Sequence, residues 1–577
     1  MSRRAAWQAL TLLEQRRTRA RQKQRARRWG MYALIAAGVL ILLVALPWLI
    51  WKGPYKIDAA HLDETELKKG SAALVTGLRT AVVALTAAVG AGIALLYTAR
   101  TYRLTRRGQI TDRFTKALER LGSQEIYVRI GGILALEQIV QDAPEQAATD
   151  AARVLGHFIR HRAPKAAPPP NPHDPDGDPP AEPLPAEPAA DVQAALTALT
   201  RTESRTHVDP REPLDLHELH LVGAQLRQAD LTHARLSGAT LTRADLSGAT
   251  LTRANLSGAT LTMAGLSGAT LTMAGLSGAT LTRAGLSGAT LTEARLTGAN
   301  LTEADLSGAT LTKVRLIQAT LTGADLSEAN LTEADLSGAR LTEANLSGTT
   351  LTEANLLRAT LTEANLIQAT LTSACMGWAT LTGADLSQAT LTGADLSRAT
   401  LTEADLSGAR LTEANLSEAT LMNARMSHAT LTNARMNLAM LARVDLSEAT
   451  LTGADLSGAT LTEANLSGVD LSGATLTKAD LFGANLTGAD LIGATLTETN
   501  LIGAMLKEVD LSGTMLTEAD LSGADLTAAK LTEADLSGAD LTGAYGLSPV
   551  QATSAQTDES TKMPEYLYVS TRSTTAQ

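Results

Sequence analysis

Residues 241–260 read LTRADLSGATLTRANLSGAT. Leu241, Leu246, Leu251 and Leu256 stand five residues apart, and Ala239, Ala244, Ala249 and Ala254 each stand two residues ahead of a leucine. The pattern runs outward in both directions, from Leu216 to Leu541, with Met376, Met426 and Met436 the substitutes for leucine. Val314, Val444, Val469, Val509, Thr349, Thr499 and Thr514 replace the alanine with another small residue. The unit is A-(D/N/T)-L-(T/S)-x. A period of five fits neither a helix of 3.6 residues per turn nor a strand of period two. It does fit a square coil, in which four units make one turn of about 20 residues. Leu and the preceding Ala then point inward, and the other three positions point out. Gly at the corner, as at Gly238, supplies backbone angles that other residues resist. About 66 units give roughly 16 coils, and at the strand spacing of ~4.8 Å they make a rod of ~75 Å.

These residues resemble the pentapeptide-repeat family, whose repeat is A(D/N)LXX, over about 330 residues of the chain. The resemblance implies an all-β solenoid, a right-handed quadrilateral β-helix. The layout also resembles membrane-anchored pentapeptide-repeat proteins of the actinobacterial type. That layout has two apolar spans, then GQITDRFTKALERLGS, VRIGGILALEQIV and DVQAALTAL, then the repeats.

The outward positions carry a second period of ten. Thr precedes alternate leucines at 240, 250, 260 and 270, while Asp, Asn or Gly precedes the others. With four sides to a coil, Thr covers two opposite sides and Asp/Asn the other two. One column reads Asp305, Asp325, Asn345, Asn365, Asp385, Asp405, and another holds Glu343 and Glu363. Near Asp470 the pattern slips by five, so Asp470, Asp480 and Asp490 fall on the sides that Thr held before. Carboxylates stacked at ~4.8 Å repel by about 1 kcal/mol per pair even in water. Some members of the family are DNA mimics that bind type II topoisomerases, so the resemblance implies that activity as an alternative. The favoured reading of the ladder is solubility, with Asn interposed to relieve repulsion. Arg235, Arg295, Arg315, Arg340, Arg410, Arg425 and Arg435 interrupt the acid surface.

A few outward positions are apolar. The square coil puts Ile317, Leu357, Trp378 and Leu438 on one side, and Met422, Met440 and Phe482 also face out. Exposed apolar residues in a row can mark an interface, although scattered ones are ordinary. The least regular stretch, 370–445, is the candidate contact region. Cys375, the chain's single cysteine, faces outward there and excludes an intrachain disulfide.

The regions ahead of the repeat have their own character. A basic N-terminus occupies 1–28, with ten Lys/Arg from Arg3 to Arg28 against Glu14. An uncharged run over 29–51 meets the roughly 20 residues a bilayer core needs, with Trp29, Trp48 and Trp51 toward its ends. Residues 52–79 read as a short external loop leading to a second span, 80–99. Arg100, Arg103, Arg106 and Arg107 follow that span, so both flanks belong to the cytoplasmic side of a bacterial plasma membrane. The run over 29–51 is longer than the apolar part of a cleaved signal. Residues 100–162 read as a cytoplasmic helical segment, 163–190 as a Pro-rich linker and 191–210 as a capping helix with its lead-in. The β-helix takes 211–546, and 547–577 reads as a polar, disordered tail.

The net charge of −10 hides an acidic repeat region carrying roughly 18 net negative charges. Direct nucleic-acid binding is therefore not expected of it. His157 and His161 share a helix face at i, i+4 but have no third ligand, and read as a solvated or structural pair. His217, His220, His233 and His428 are the histidines of the repeat, and none has a catalytic companion in the sequence. The chain reads as a non-catalytic binding protein without cofactor or metal. It is expected to be integral to the membrane and to present its rod to an unidentified protein partner. With no second cap evident, either Tyr566-Leu567-Tyr568-Val569 folds back or two rods meet end to end as a homodimer.

Overall fold

The computed structural model describes residues 64–143, 145–166, 184–209 and 211–567, together with 38, 40, 44 and 46–52. The chain divides into two compact units, Met1–Thr111 and Asp112–Gln577. In the first, α1 covers Leu46–Trp51, and most of the expected first span, 29–51, lies outside the described residues. The long helix α2, Glu64–Leu121, begins here. Residues 64–79, expected to be loop, are thus helical. The reason is composition: ETELKKGSAALVTGLR is rich in helix-forming Glu, Leu, Lys and Ala and has no proline. Among the described residues one helical stretch, Thr80–Leu121, is long and apolar enough to cross a membrane. Its threonines tolerate apolar surroundings because their hydroxyls bond backward. Thr80 and Thr98 donate to the carbonyls of Thr76 and Ala94, each at 2.8 Å.

In the second unit the end of α2 is followed by α3 (Ile126–Asp142), α4 (Glu145–Arg162), α5 (Ala190–Thr200) and α6 (Thr202–Arg205). The helices α3, α4 and α5 pack on one another around Ile133, Leu136, Leu155, Ile159, Leu196 and Leu199, all fully buried. An ionic knot joins them. Asp191, fully buried in the first turn of α5, accepts from Arg129 Nε of α3 at 2.8 Å and from Arg162 of α4 at 3.4 Å. Arg129 also donates to the carbonyls of Ser123 and Gln124.

This helical group caps the solenoid. Thr200 O accepts from Asp230 N at 2.6 Å, and Pro164 O accepts from His220 N at 2.8 Å. Lys165 pairs antiparallel with Leu219. The residues just ahead of the proline-rich stretch therefore lie against the first coils instead of hanging free. Prolines 185 and 188 flank a second attachment, where His220 Nε2 meets Pro185 O at 2.8 Å.

The solenoid is a β-helix whose residues pair in parallel twenty positions apart. Asp215 bridges to Arg235, His220 to Thr240, Gln225 to Asp245 and Asp230 to Thr250, giving four sides to a coil, and the register continues to Asp525 and Tyr545. Each side contributes one bridging residue, too short for a conventional strand. Backbone bonds fix the stack: Leu246 N donates to Gly265 O at 2.7 Å, and Asp245 N to Ala224 O at 2.9 Å. Each corner is a β-turn, as where Ala244 N donates to Leu241 O at 3.0 Å and Arg243 takes φ of 56°. A positive φ at the third residue is the geometry of type II turns. The inward leucines and alanines are buried along the whole rod. The buried threonines that replace alanine satisfy their hydroxyls on carbonyls: Thr349 on Leu346, Thr499 on Leu476 and Thr514 on Leu491.

The far end is closed by the segment expected to be a disordered tail. Helix α7, Pro549–Ser554, starts with a capping box between Ser548 and Gln551. Gln556 and Lys562 then pair with Asp535 and Asp540, extending the coil register. Leu547 and Leu567 are buried, and Tyr566 Oη accepts from Leu547 N at 3.0 Å. Polar composition hid this because the tail borrows its core from the coil beneath. Of the two alternatives for this end, residues 547–567 make the fold-back over the last coil.

Candidate interaction surface

The four apolar residues singled out from the repeat fall on one corner column and its adjoining side. Leu357 and Ile317 sit at the position after the inward leucine, and Trp378 and Leu438 at the left-handed corner one residue later, with φ of 60° and 58°. Trp378 is 53% exposed, Leu438 58% and Leu357 43%, while Ile317 is half-buried.

The structure places two of them, Leu357 and Trp378, at neighbouring positions of adjacent coils. Leu357 Cδ1 lies 3.5 Å from the point where Gly377 would carry a Cβ, so its side chain covers the residue beside Trp378. Arg398, one coil on, stacks over the indole with its guanidinium carbon 5.0 Å from the ring centroid. Arg398 is itself held by Glu418, through two bonds of 2.9 Å. These bonds hold the Glu418 carboxyl below the usual range. The side-chain column thus reads Trp378, Arg398, Glu418, Leu438. Leu438 is three coils from the indole, ~14 Å, and Ile317 two coils from Leu357, ~10 Å. Neither joins the Leu357–Trp378 pair.

Met422, Met440 and Phe482 are exposed as the register requires. The same rule, carried past residue 482, also finds Ile492, Met505 and Met515, each 46% exposed, which the sequence reading did not single out. Met263 and Met273 are two more exposed corner residues that the rule identifies.

The acidic columns have a local task. In Asp305, Asp325, Asn345, Asn365, Asp385 and Asp405 alike, Oδ1 accepts the backbone N–H two residues on, at 2.9–3.2 Å. Each side chain therefore ties down the start of its corner as an Asx turn. The amides also pair between coils: Asn345 Nδ2 donates to Asp325 at 3.0 Å, Asn415 to Asp395 at 2.9 Å and Asn465 to Asp445 at 2.8 Å. Arg425 reaches Asp405, and Lys530 reaches Asp510. For Asp405 burial alone would raise the carboxyl pKa, but bonds from Ser407 and the charge of Arg425 outweigh it, and the net direction is down. Asp470 is also lowered: burial is again outweighed, here by bonds from Ser472 and Thr452.

Corner cations repeatedly precede a glutamate by one coil, as in Arg283–Glu303, Lys313–Glu333, Arg443–Glu463 and Lys478–Glu498. Cys375 is exposed on the side between Asn355 and Asp395.

Known proteins share the repeat. Among solved structures, HetL, a pentapeptide repeat protein involved in heterocyst differentiation regulation from the cyanobacterium Nostoc sp. strain PCC 7120, is 36% identical. That match covers 38% of this chain and 89% of HetL with a TM-score of 0.29. QnrB1, a plasmid-mediated fluoroquinolone resistance protein, matches at 21% identity over 34% of this chain and 95% of its own, with a TM-score of 0.24. A pentapeptide repeat protein of the Arabidopsis thaliana thylakoid lumen matches at 30% identity over 18% of this chain and 74% of its own, with a TM-score of 0.15. No curated protein sequence matches the chain. The family model described as pentapeptide repeats (8 copies) matches segments from 220–258 and 261–298 through to 510–545, more than half of the chain. With the leucine-and-alanine core and the twenty-residue register, that match makes the chain a member of the pentapeptide-repeat family.

Proposed function

We propose that this protein is a non-catalytic, membrane-anchored scaffold whose rod offers a rigid surface to a protein partner on the cytoplasmic side. The observation that carries the reading is Trp378. A large aromatic stands here at a corner that most coils fill with glycine or a polar residue. The indole is half-exposed and roofed by Arg398, and Leu357 packs over the adjoining Gly377. Trp and Arg are the residue types that most often dominate binding energy at interfaces. The anchor rests on the apolar part of α2 and the uncharged run at 29–51, and the orientation on the arginines from Arg100 to Arg107.

The test uses the full chain, tagged and solubilised in mild detergent, beside a Leu357→Ser/Trp378→Ser variant. The scaffold reading expects one protein to co-purify in fixed ratio with the parent and to fall at least tenfold with the variant, as loss of a hot spot would give. Equal recovery with both removes this surface from the reading.

The competing reading, a DNA mimic that binds a type II topoisomerase, is favoured by the Asp470, Asp490 and Asp510 stack on one side. It expects topoisomerase subunits among the retained proteins and inhibition of DNA supercoiling by the solubilised chain. The Asx turns and the Asn, Arg and Lys partners give the carboxylates another purpose, so the scaffold is preferred.

A further inference from the structure

A cleft of about 250 Å³ lies between α4 and the segment that leads into the first coil. Its apolar lining is Ala152, Leu199, Val208 and Leu214, all buried. Its polar lining is Arg153, His157, Arg160, Glu212, Asp215 and Arg235.

Two of the cations are already committed. Arg153 forms a fork on Glu212 at 2.9 and 3.1 Å, and Arg160 donates to Asp215 and to the His217 carbonyl, each at 3.2 Å. With Glu212 and Asp215 neutralised in this way, Arg235 and His157 remain. Among the described residues neither side chain has a hydrogen bond or ion pair, and both line the same cleft. His157 does act at a distance: bonds from Arg153 lower the Glu212 carboxyl most, and His157 adds a smaller push in the same direction.

We propose that this cleft binds a small organic anion, with Arg235 and His157 gripping a carboxylate or phosphate head and the apolar wall taking the body. A guanidinium with free N–H groups is suited to bidentate recognition of either head. The buried apolar wall favours an organic body over a bare inorganic ion, because it removes apolar surface from water. The volume is below the ~300–1,000 Å³ of pockets that enclose drug-sized ligands, so the ligand is smaller than those. Since the cleft joins α4 to Val208, residues 212–215 and Arg235, an occupant would tie the helical cap to the first coils.

The experiment is calorimetric titration of the full chain in detergent with four probes: benzoate, phenyl phosphate, inorganic phosphate and benzyl alcohol. The proposal expects one-to-one binding of benzoate or phenyl phosphate, and which of the two is tighter identifies the head. Inorganic phosphate and the neutral alcohol should bind at least tenfold more weakly. Arg235→Ala and His157→Ala should each weaken the preferred probe roughly tenfold, the loss expected for a charge-assisted bond. Both side chains are exposed, and circular dichroism of each variant checks that the fold is kept. If one variant misfolds, the other decides. Absence of binding at about 10 mM, equal binding of alcohol and benzoate, or binding unchanged in the folded variants would overturn the proposal.

Discussion

Arg129 on α3 and Asp191 on α5 meet at 2.8 Å, with the carboxylate wholly removed from solvent and the guanidinium nearly so. Sixty-two residues apart in the chain, they lock the helical cap together. Removing Arg129 leaves the buried Asp191 carboxylate with only the longer bond from Arg162, at 3.4 Å. Arg129→Ala should therefore destabilise the cap by about 3–5 kcal/mol. Hydrogen exchange would show it as lost protection in α3 and α5 with the middle coils unaffected. By the same logic a soluble fragment beginning at Asp112 should be more stable than one beginning at Asp191.

Asn345 shields its column. Its amide donates to Asp325, and Asn345→Asp would set a carboxylate there instead. The expected cost is about 1 kcal/mol at low salt, shrinking as added salt screens the pair. Denaturant midpoints of the parent and variant at low and high ionic strength would measure it. A cost independent of salt would mean that the amide acts through shape alone.

Glycine is required unequally at the left-handed positions. At Gly546, just beyond the last corner, φ is 79° and a Cβ would overlap Thr527 Oγ1, whereas at the corner Gly473, φ is 64° with open space around it. Gly546→Ala should cost about 3–4 kcal/mol, through conformation and overlap together, and Gly473→Ala only about 1 kcal/mol. Hydrogen exchange of the coils around each site would separate the two.

Acid should loosen the far end in a defined window. The bond from Lys562, then that from Thr542, lowers the Asp540 carboxyl to about 2. Because this pKa lies below the unfolded value of about 3.9, the stabilisation is complete above that value and disappears as pH falls toward about 2. Lys562→Met should therefore weaken protection of the last coil at neutral pH and differ less from the parent as pH drops through that window.

The single cysteine reports on orientation. Cys375 is exposed on the rod, so a membrane-impermeant thiol reagent should leave intact cells unlabelled and label inside-out vesicles. Labelling of intact cells would reverse the proposed topology.

Most of the rod was legible because every position repeats. Leu241 and Ala244 have the same surroundings as Leu246 and Ala249, so one correct assignment served the whole solenoid. The candidate surface was legible by register, but the contacts around Trp378 were not. Arg398 lies twenty residues away, and only a coil of known length puts it over the ring. The ladder of Asp305 and its successors was read as charge, while its bonds to backbone N–H groups are local chemistry that a charge pattern does not express. The capping helix at 191–210 was legible, but the bond from Arg129 to Asp191 that holds it was not, because Arg129 comes from another helix 62 residues earlier. The fold-back of Tyr566 and Leu567 was legible as one alternative, but Gln556 and Lys562 were not, because the coil register they continue is supplied by Asp535 and Asp540 far behind them.

The twenty-residue register also makes the rod a counting device. A coil bonds only to the coils before and after it, so loss or gain of a whole coil should change the length and leave every column aligned. A change of one five-residue unit is different: the core cannot tell one leucine from the next, but every surface beyond the change turns by a quarter revolution. The slip near Asp470, where aspartate moves onto sides held by threonine, has that form. Surface azimuth in this molecule can therefore be re-indexed by small insertions or deletions while the interior stays the same.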